Sequence, residues 1–218
     1  AWGSLEPRAA DYAALVQEAY TSIHSVDENA VVLLAALAPT TETGPQNISD
    51  IRYLQDLYAL GLQPYFDAAA AKPYGFNTSP DDRIVSPDTL NFSRIIALRE
   101  VMEQNGDSHK ALWASSWGWN SLPADWSGHP SIWGSVTTTQ QADYVLAALN
   151  RAEREWPWLG GAVVHHWQPA APPDDPTWGF SIINQQGEPT PLYAALAQYN
   201  GDSQAANGLF AAVTPYAT

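Results

Sequence analysis

The chain has 218 residues, 45% of them hydrophobic and 11% aromatic, enough apolar material to build one domain around a sizeable core and to exclude a disordered chain. Nine Lys and Arg stand against 23 Asp and Glu, a formal net charge of -14, which repels phosphate backbones and anionic membrane surfaces and excludes nucleic acid as an expected partner. There is no Cys, so disulfides and thiolate metal sites are unavailable, and no apolar run approaches the ~20 residues that span a bilayer.

The chain opens at Ala1-Trp2-Gly3 without Met and without the charged-then-apolar layout of a signal peptide, so a soluble processed form or fragment is expected. Tyr12, Leu15, Val16, Ala19 and Ile23 after Pro7 have helical spacing, and Val31 to Leu37 is then an unbroken apolar run read as a buried strand. The pattern recurs, with a helix over about 48–60, a strand over 66–71, a helix over 91–104 and a strand over 111–115. Thr137 to Thr139 can cap a further helix carrying Ala142, Val145, Leu146, Leu149, Ala152 and Trp156 on one side. Gly160-Gly161 then leads into a strand over 162–164, and a last helix covers 192–199. Strands apolar on both faces that alternate with amphipathic helices imply a parallel sheet covered by helices. Four such strands are half of a (β/α)8 TIM barrel, which usually takes ~250 residues. The expected layout is therefore a partial barrel over 1–200, approximately strands 5 to 8, followed at 201–218 by a linker or the start of a further domain.

Lys110 to Ser121 is the most informative stretch: an apolar run closes in small hydroxyls and then Trp117, Gly118, Trp119 and Asn120, a buried strand opening into a polar, aromatic mouth. Trp113-Ala114-Ser115-Ser116-Trp117-Gly118-Trp119 resembles strand seven of the clan A glycoside hydrolases, commonly W-x-T-E-x-G-W, with Ser116 at the position of the nucleophilic Glu. Phe66 to Phe76 resembles their strand six, F-D-x-x-x-x-H-P-Y-G-F, with Lys72 in place of the His. Trp2-Gly3 with Pro7, Tyr12 and the 31–40 segment resembles the region after the N-E-P motif. Residues 162–168, Trp178-Gly179-Phe180-Ser181 and 189–196 resemble strand eight and the closing helix. Together the segments resemble family 39 and family 5 enzymes in order.

That resemblance implies a protein acting on O-glycosidic bonds of extracellular or cell-envelope polysaccharide, with no cofactor, and with the rest of the barrel and its acid/base Glu upstream of Ala1. Retaining glycosidases need two carboxyl groups ~5–5.5 Å apart, and Ser116 supplies none. The alternative is a secreted, non-catalytic carbohydrate-binding pseudo-enzyme that keeps the groove. At the catalytic positions the candidates are Ser116, Lys72 and, as a substitute carboxylate after strand five, Glu42. Ser116 is either ligand-facing or a buried hydroxyl bonded to backbone, and strand register decides between them. Lys72 is a base, a simple charge or hydrogen-bond donor, or an anchor for an acidic sugar or phosphate. Tyr74, Trp119, Asn120, Trp133 and Trp167 are the candidate sugar contacts, since flat aromatic faces suit pyranose rings; core packing is the competing role of the tryptophans. His165 and His166, as strand neighbours, point to opposite faces, so no metal site is expected from them. The loop pairs Asp81-Asp82 and Asp174-Asp175 are expected as solvated turns.

Overall fold

The computed structural model describes residues 6–204. Its elements in chain order are α1 (Ala9–His24), α2 (Asp50–Ala59), β1 (Ala68–Ala71), α3 (Arg94–Gln104), β2 (Ala111–Trp117), α4 (Thr138–Glu155), β3 (Leu159–Val164) and α5 (Pro191–Gln204), with 3-10 turns at Gln63–Tyr65 and Pro176–Phe180. Trp2-Gly3 and residues 205–218 lie outside the described residues; α5 runs to Gln204, past the expected break at Gly201.

The strands form one parallel sheet in the order β1, β2, β3, with Ala68 to Ala71 level with Ala111 to Ala114 and Trp117 level with Val164. The 31–37 segment differs from its expectation. It is extended and meets β1 only through the bridges of Leu33 to Ala68 and Leu37 to Ala71, and Val31 is 67% exposed while Leu34 is buried. An apolar run alone does not tell an inner strand from an outer one; among the described residues this run has a hydrogen-bonding neighbour on one side only.

One face of the sheet carries the helices. Leu54, Leu57 and Leu98 close on Ala69 and Leu112, and Ala148, Leu149 and Ala152 of α4 extend the same core. All four alanines of β1 are buried; their small side chains let the flanking layer approach closely. Each fully buried Leu contributes roughly 1.5–3 kcal/mol. The register of α4 is set at its start, where Thr137 accepts from the Gln140 N–H at 3.1 Å and the Gln140 side chain accepts from the Thr137 N–H, a reciprocal cap. On the opposite face Trp113 lies over Gly160 and Gly161: a Cβ at Gly161 would stand 2.7 Å from its ring. Val163 is 53% exposed, so this second face is only partly covered.

Buried arginines fix the long connection after β1. Arg94 pairs with Asp50 at 2.6 Å, both side chains being buried, and donates to the carbonyls of Thr40, Pro87 and Thr89 at 2.8 to 3.0 Å. Arg151 donates to the Pro80 carbonyl at 2.6 Å and to the Ser93 hydroxyl at 2.8 Å. A buried guanidinium is tolerated because its five donors are satisfied in this way.

Candidate functional site

The C-terminal ends of β1, β2 and β3 converge on one cluster. Tyr74, three residues beyond β1, bridges in parallel to Gly118, and the Gly75 N–H donates to the Gly118 carbonyl at 3.0 Å. Gly118 has φ +141°, a conformation that suits glycine, and this turn carries β2 out of the sheet. Leu112, Ala114 and Trp117 belong to the core, and the ladder shifts between Ala114 and Trp117. Two residues, Ser115 and Ser116, therefore stand between core-facing positions where strict alternation allows one. This settles the orientation of Ser116: half-buried, with its hydroxyl 2.8 Å from the Tyr74 hydroxyl.

Around that pair lie aromatic and imidazole rings. The Tyr74 ring centroid is 5.8 Å from Trp133, 5.8 Å from His165 and 5.3 Å from Phe180; Trp133 and His165 also meet Phe180 at 5.2 and 5.1 Å. The His165 backbone N–H donates to the Trp117 carbonyl at 2.9 Å, and that of His166 to the Phe180 carbonyl at 3.0 Å. The His165–His166 peptide bond is cis, and the two imidazoles lie side by side with centroids 4.6 Å apart, not on opposite faces as strand alternation predicts. Burial, then His166, then the Lys72 charge hold His165 down to about 4, so it is uncharged at neutral pH. Burial raises the Tyr74 phenol, partly offset by its bond to Ser116; it stays protonated as a hydrogen-bonding group. Lys72 is half-buried one position past β1.

Two expected sugar contacts are corrected. Trp119 is 1% exposed and Asn120 0%, because the chain turns inward after Gly118. The Trp119 indole N–H donates to the Thr78 carbonyl at 2.7 Å, and its ring fills the space beside Gly75, where a Cβ would be 1.8 Å away. The Asn120 amide donates to the Pro176 carbonyl at 2.8 Å. Gln141 donates to the carbonyls of Trp119 and Gly179, both at 2.7 Å. These residues brace the mouth from behind. Trp167 is 41% exposed at the rim, against Tyr193 at 6.2 Å. Glu42 is exposed and takes a hydrogen bond from Asn47 at 2.9 Å, and it bonds to no member of the cluster. The loop acids are likewise occupied: Asp82 with Asn91 at 2.9 Å, Asp174 with His129 at 3.4 Å, and Asp175 with the Thr177 N–H at 2.8 Å. Among the described residues no group of three His, Asp or Glu is placed to hold a metal ion.

His165 and Phe180 are the cluster members that sequence reasoning missed. Adjacent histidines in a sequence suggest a metal pair, and Phe180 lies in a Trp-Gly-Phe-Ser segment that carries no catalytic motif.

No protein-family model matches the chain, and no curated protein matches it. Solved structures do. The chain is similar to a family 39 glycoside hydrolase from the gut symbiont Bacteroides cellulosilyticus, with TM-score 0.56 and 20% identity, covering 85% of this chain and 36% of that one. It is also similar to the GH53 catalytic domain of Ignisphaera aggregans, with TM-score 0.57, 16% identity and 88% and 54% coverage. A third is an endo-beta-1,4-glucanase of Xanthomonas axonopodis pv. citri, with TM-score 0.51, 14% identity and 88% and 55% coverage. The likeness is one of fold: an α/β chain with a three-stranded parallel sheet, consistent with part of a barrel like those of these glycoside hydrolases. The chain spans about a third to just over half of these structures, and its polar cluster lies at the C-terminal ends of the parallel strands, the end at which (β/α)8 barrels carry their sites.

Proposed function

We propose that this chain forms the carbohydrate-binding side of a glycoside-hydrolase-type barrel directed at extracellular or cell-envelope polysaccharide, and that the Ser116 position has lost hydrolytic function. The strands that close the barrel then precede this segment, which fits the exposed Val31 edge and the half-open face around Val163.

One observation carries the reading. Ser116 is hydrogen-bonded to Tyr74 inside a cluster of hydroxyls, imidazoles, one ammonium and aromatic rings, and no carboxylate of a described residue bonds to any of them. Double displacement at an anomeric carbon needs an anionic nucleophile and a partner acid ~5–5.5 Å away. A neutral hydroxyl bonded to a protonated phenol has no base hydrogen-bonded to it among the described residues, and it offers an oxocarbenium-like transition state far less stabilisation than a carboxylate does. Binding asks for less. Hydroxyl groups, an ammonium and the faces of Trp133 and Trp167 suffice to orient a sugar.

Full-length protein assayed on a broad glycan panel is expected to bind an oligosaccharide without releasing reducing ends, and Trp133→Ala and Trp167→Ala are expected to weaken that binding. Turnover that persists in Ser116→Ala would place a nucleophile elsewhere and restore the hydrolase reading, with Glu42 the first residue to replace. Turnover abolished by Ser116→Ala would make Ser116 catalytic and sink the proposed loss. Failure to bind any glycan would sink both readings.

A further inference from the structure

Of the nine Lys and Arg side chains, all but Lys72 and Arg154 lie within ion-pair distance of a carboxylate. Arg154 is exposed on α4 and donates to the Asn150 carbonyl one turn back at 3.1 Å. Lys72 is different. It is half-buried at the strand ends, makes no ion pair with a described residue, and stands in a chain that holds 23 acidic groups. A partly desolvated ammonium is costly without an opposite charge, and a chain this acidic has counter-ions to spare, yet none of the described carboxylates pairs with Lys72.

We infer that the mouth takes a sugar bearing a single negative charge, either the carboxylate of a hexuronic acid or a sulfate ester, and that Lys72 is the residue that binds it. The inference rests on the carbohydrate reading above and adds the class of ligand. Three further features support it. Tyr74 and Ser116 place two hydroxyls beside the strand ends, suited to the ring oxygens of the same residue. Trp133 supplies a flat apolar partner 5.8 Å from the Tyr74 ring for the face of a pyranose. His165 and His166 are both held towards the uncharged form by burial, so the local charge is +1. That balances a monoanion better than a dianionic phosphate.

The overall charge of -14 does not oppose this at short range. At physiological ionic strength charges beyond ~8 Å are largely screened, whereas a bound carboxylate meets the Lys72 ammonium directly.

The test is calorimetric titration of full-length protein with oligogalacturonide, oligoglucuronide, the carboxyl-reduced form of each and a sulfated galactan oligosaccharide. Wild type is expected to bind at least one acidic ligand. Lys72→Gln should weaken that binding roughly 10- to 100-fold, the range for a hydrogen bond to a charged group, and Lys72→Arg should restore part of it. The acidic ligand that binds identifies the carboxylate or the sulfate as the recognised group. Equal binding of acidic and carboxyl-reduced ligands, or acidic binding unchanged in Lys72→Gln, overturns the inference and leaves the carbohydrate reading standing. No binding to any ligand, here or on the neutral glycan panel, removes the carbohydrate reading itself.

Discussion

The uncharged His165 makes the mouth sensitive to acid in a window of its own. Burial first, then the neighbouring His166 and the Lys72 charge, lower its proton affinity in the folded chain to about 4 from the ordinary 6.5. Between these values the unfolded chain holds a proton that the folded chain refuses, so the stabilisation is complete above about pH 6.5 and is lost as the pH falls towards 4. Taken in full, the shift is worth ~2 kcal/mol at about pH 5. The imidazole is only partly buried, and solvent screening reduces this to about 1 kcal/mol. Urea unfolding followed by the fluorescence of the ten tryptophans measures it. Between about pH 7.5 and pH 5, wild type should lose ~1 kcal/mol more stability than His165→Gln. Carboxylate effects fall lower: Glu155, held down to about 2 chiefly by Arg83, keeps its contribution until well below that range. Parallel pH profiles for the two proteins would show that His165 is not held in its neutral form, and would refute the account of the cluster given above.

Arg94→Met leaves Asp50 buried without a counter-charge and should cost about 3–5 kcal/mol in denaturant unfolding, with Asp50→Asn/Arg94→Met losing less than the single change. Thr137→Ala removes the cap of α4 and should cost ~1 kcal/mol. Gly75→Ala drives a methyl into the Trp119 indole; the ring must leave its seat, to be read as a red-shifted Trp emission against a Trp119→Phe control. Gly161→Ala meets Trp113 at 2.7 Å and should cost about 1–3 kcal/mol, whereas Gly61→Ala, where nothing lies within 4 Å of the added atom, meets no steric clash and shows only the penalty of a positive φ.

Periodicity places the helices but not every buried residue on them: on α1 Val16 is buried whereas Leu15 and Ile23 are exposed. Ala142, Val145, Leu149 and Ala152 are buried on α4 as the pattern required. The exposed Val31 of the 31–37 run follows from a different cause, since burial depends on which neighbour a strand finds and not on its own composition. Of the candidate residues, Lys72 and Tyr74 lie just past β1 and Ser116 near the end of β2, positions an apolar run closing in polar residues marks out, whereas Trp133 reaches Tyr74 from the loop well beyond β2. Trp119 and Asn120 follow the same rule in sequence, yet a turn at Gly118 sends them inward, a local backbone event invisible to composition. His165 was obscured by the assumption of strict strand alternation.

The arginine clamp on the connection after β1 has a further consequence. Arg94 and Arg151 touch that connection through main-chain carbonyls at Pro80, Pro87 and Thr89, groups that every residue type possesses. This part of the connection is therefore held from α3 and α4 through its main chain, in addition to the bonds that loop side chains such as Asn91 make within it. Exposed loop residues such as Asp81, Ile84 and Val85 are thus free to drift, or to be exchanged by design, while the path of the connection keeps its shape.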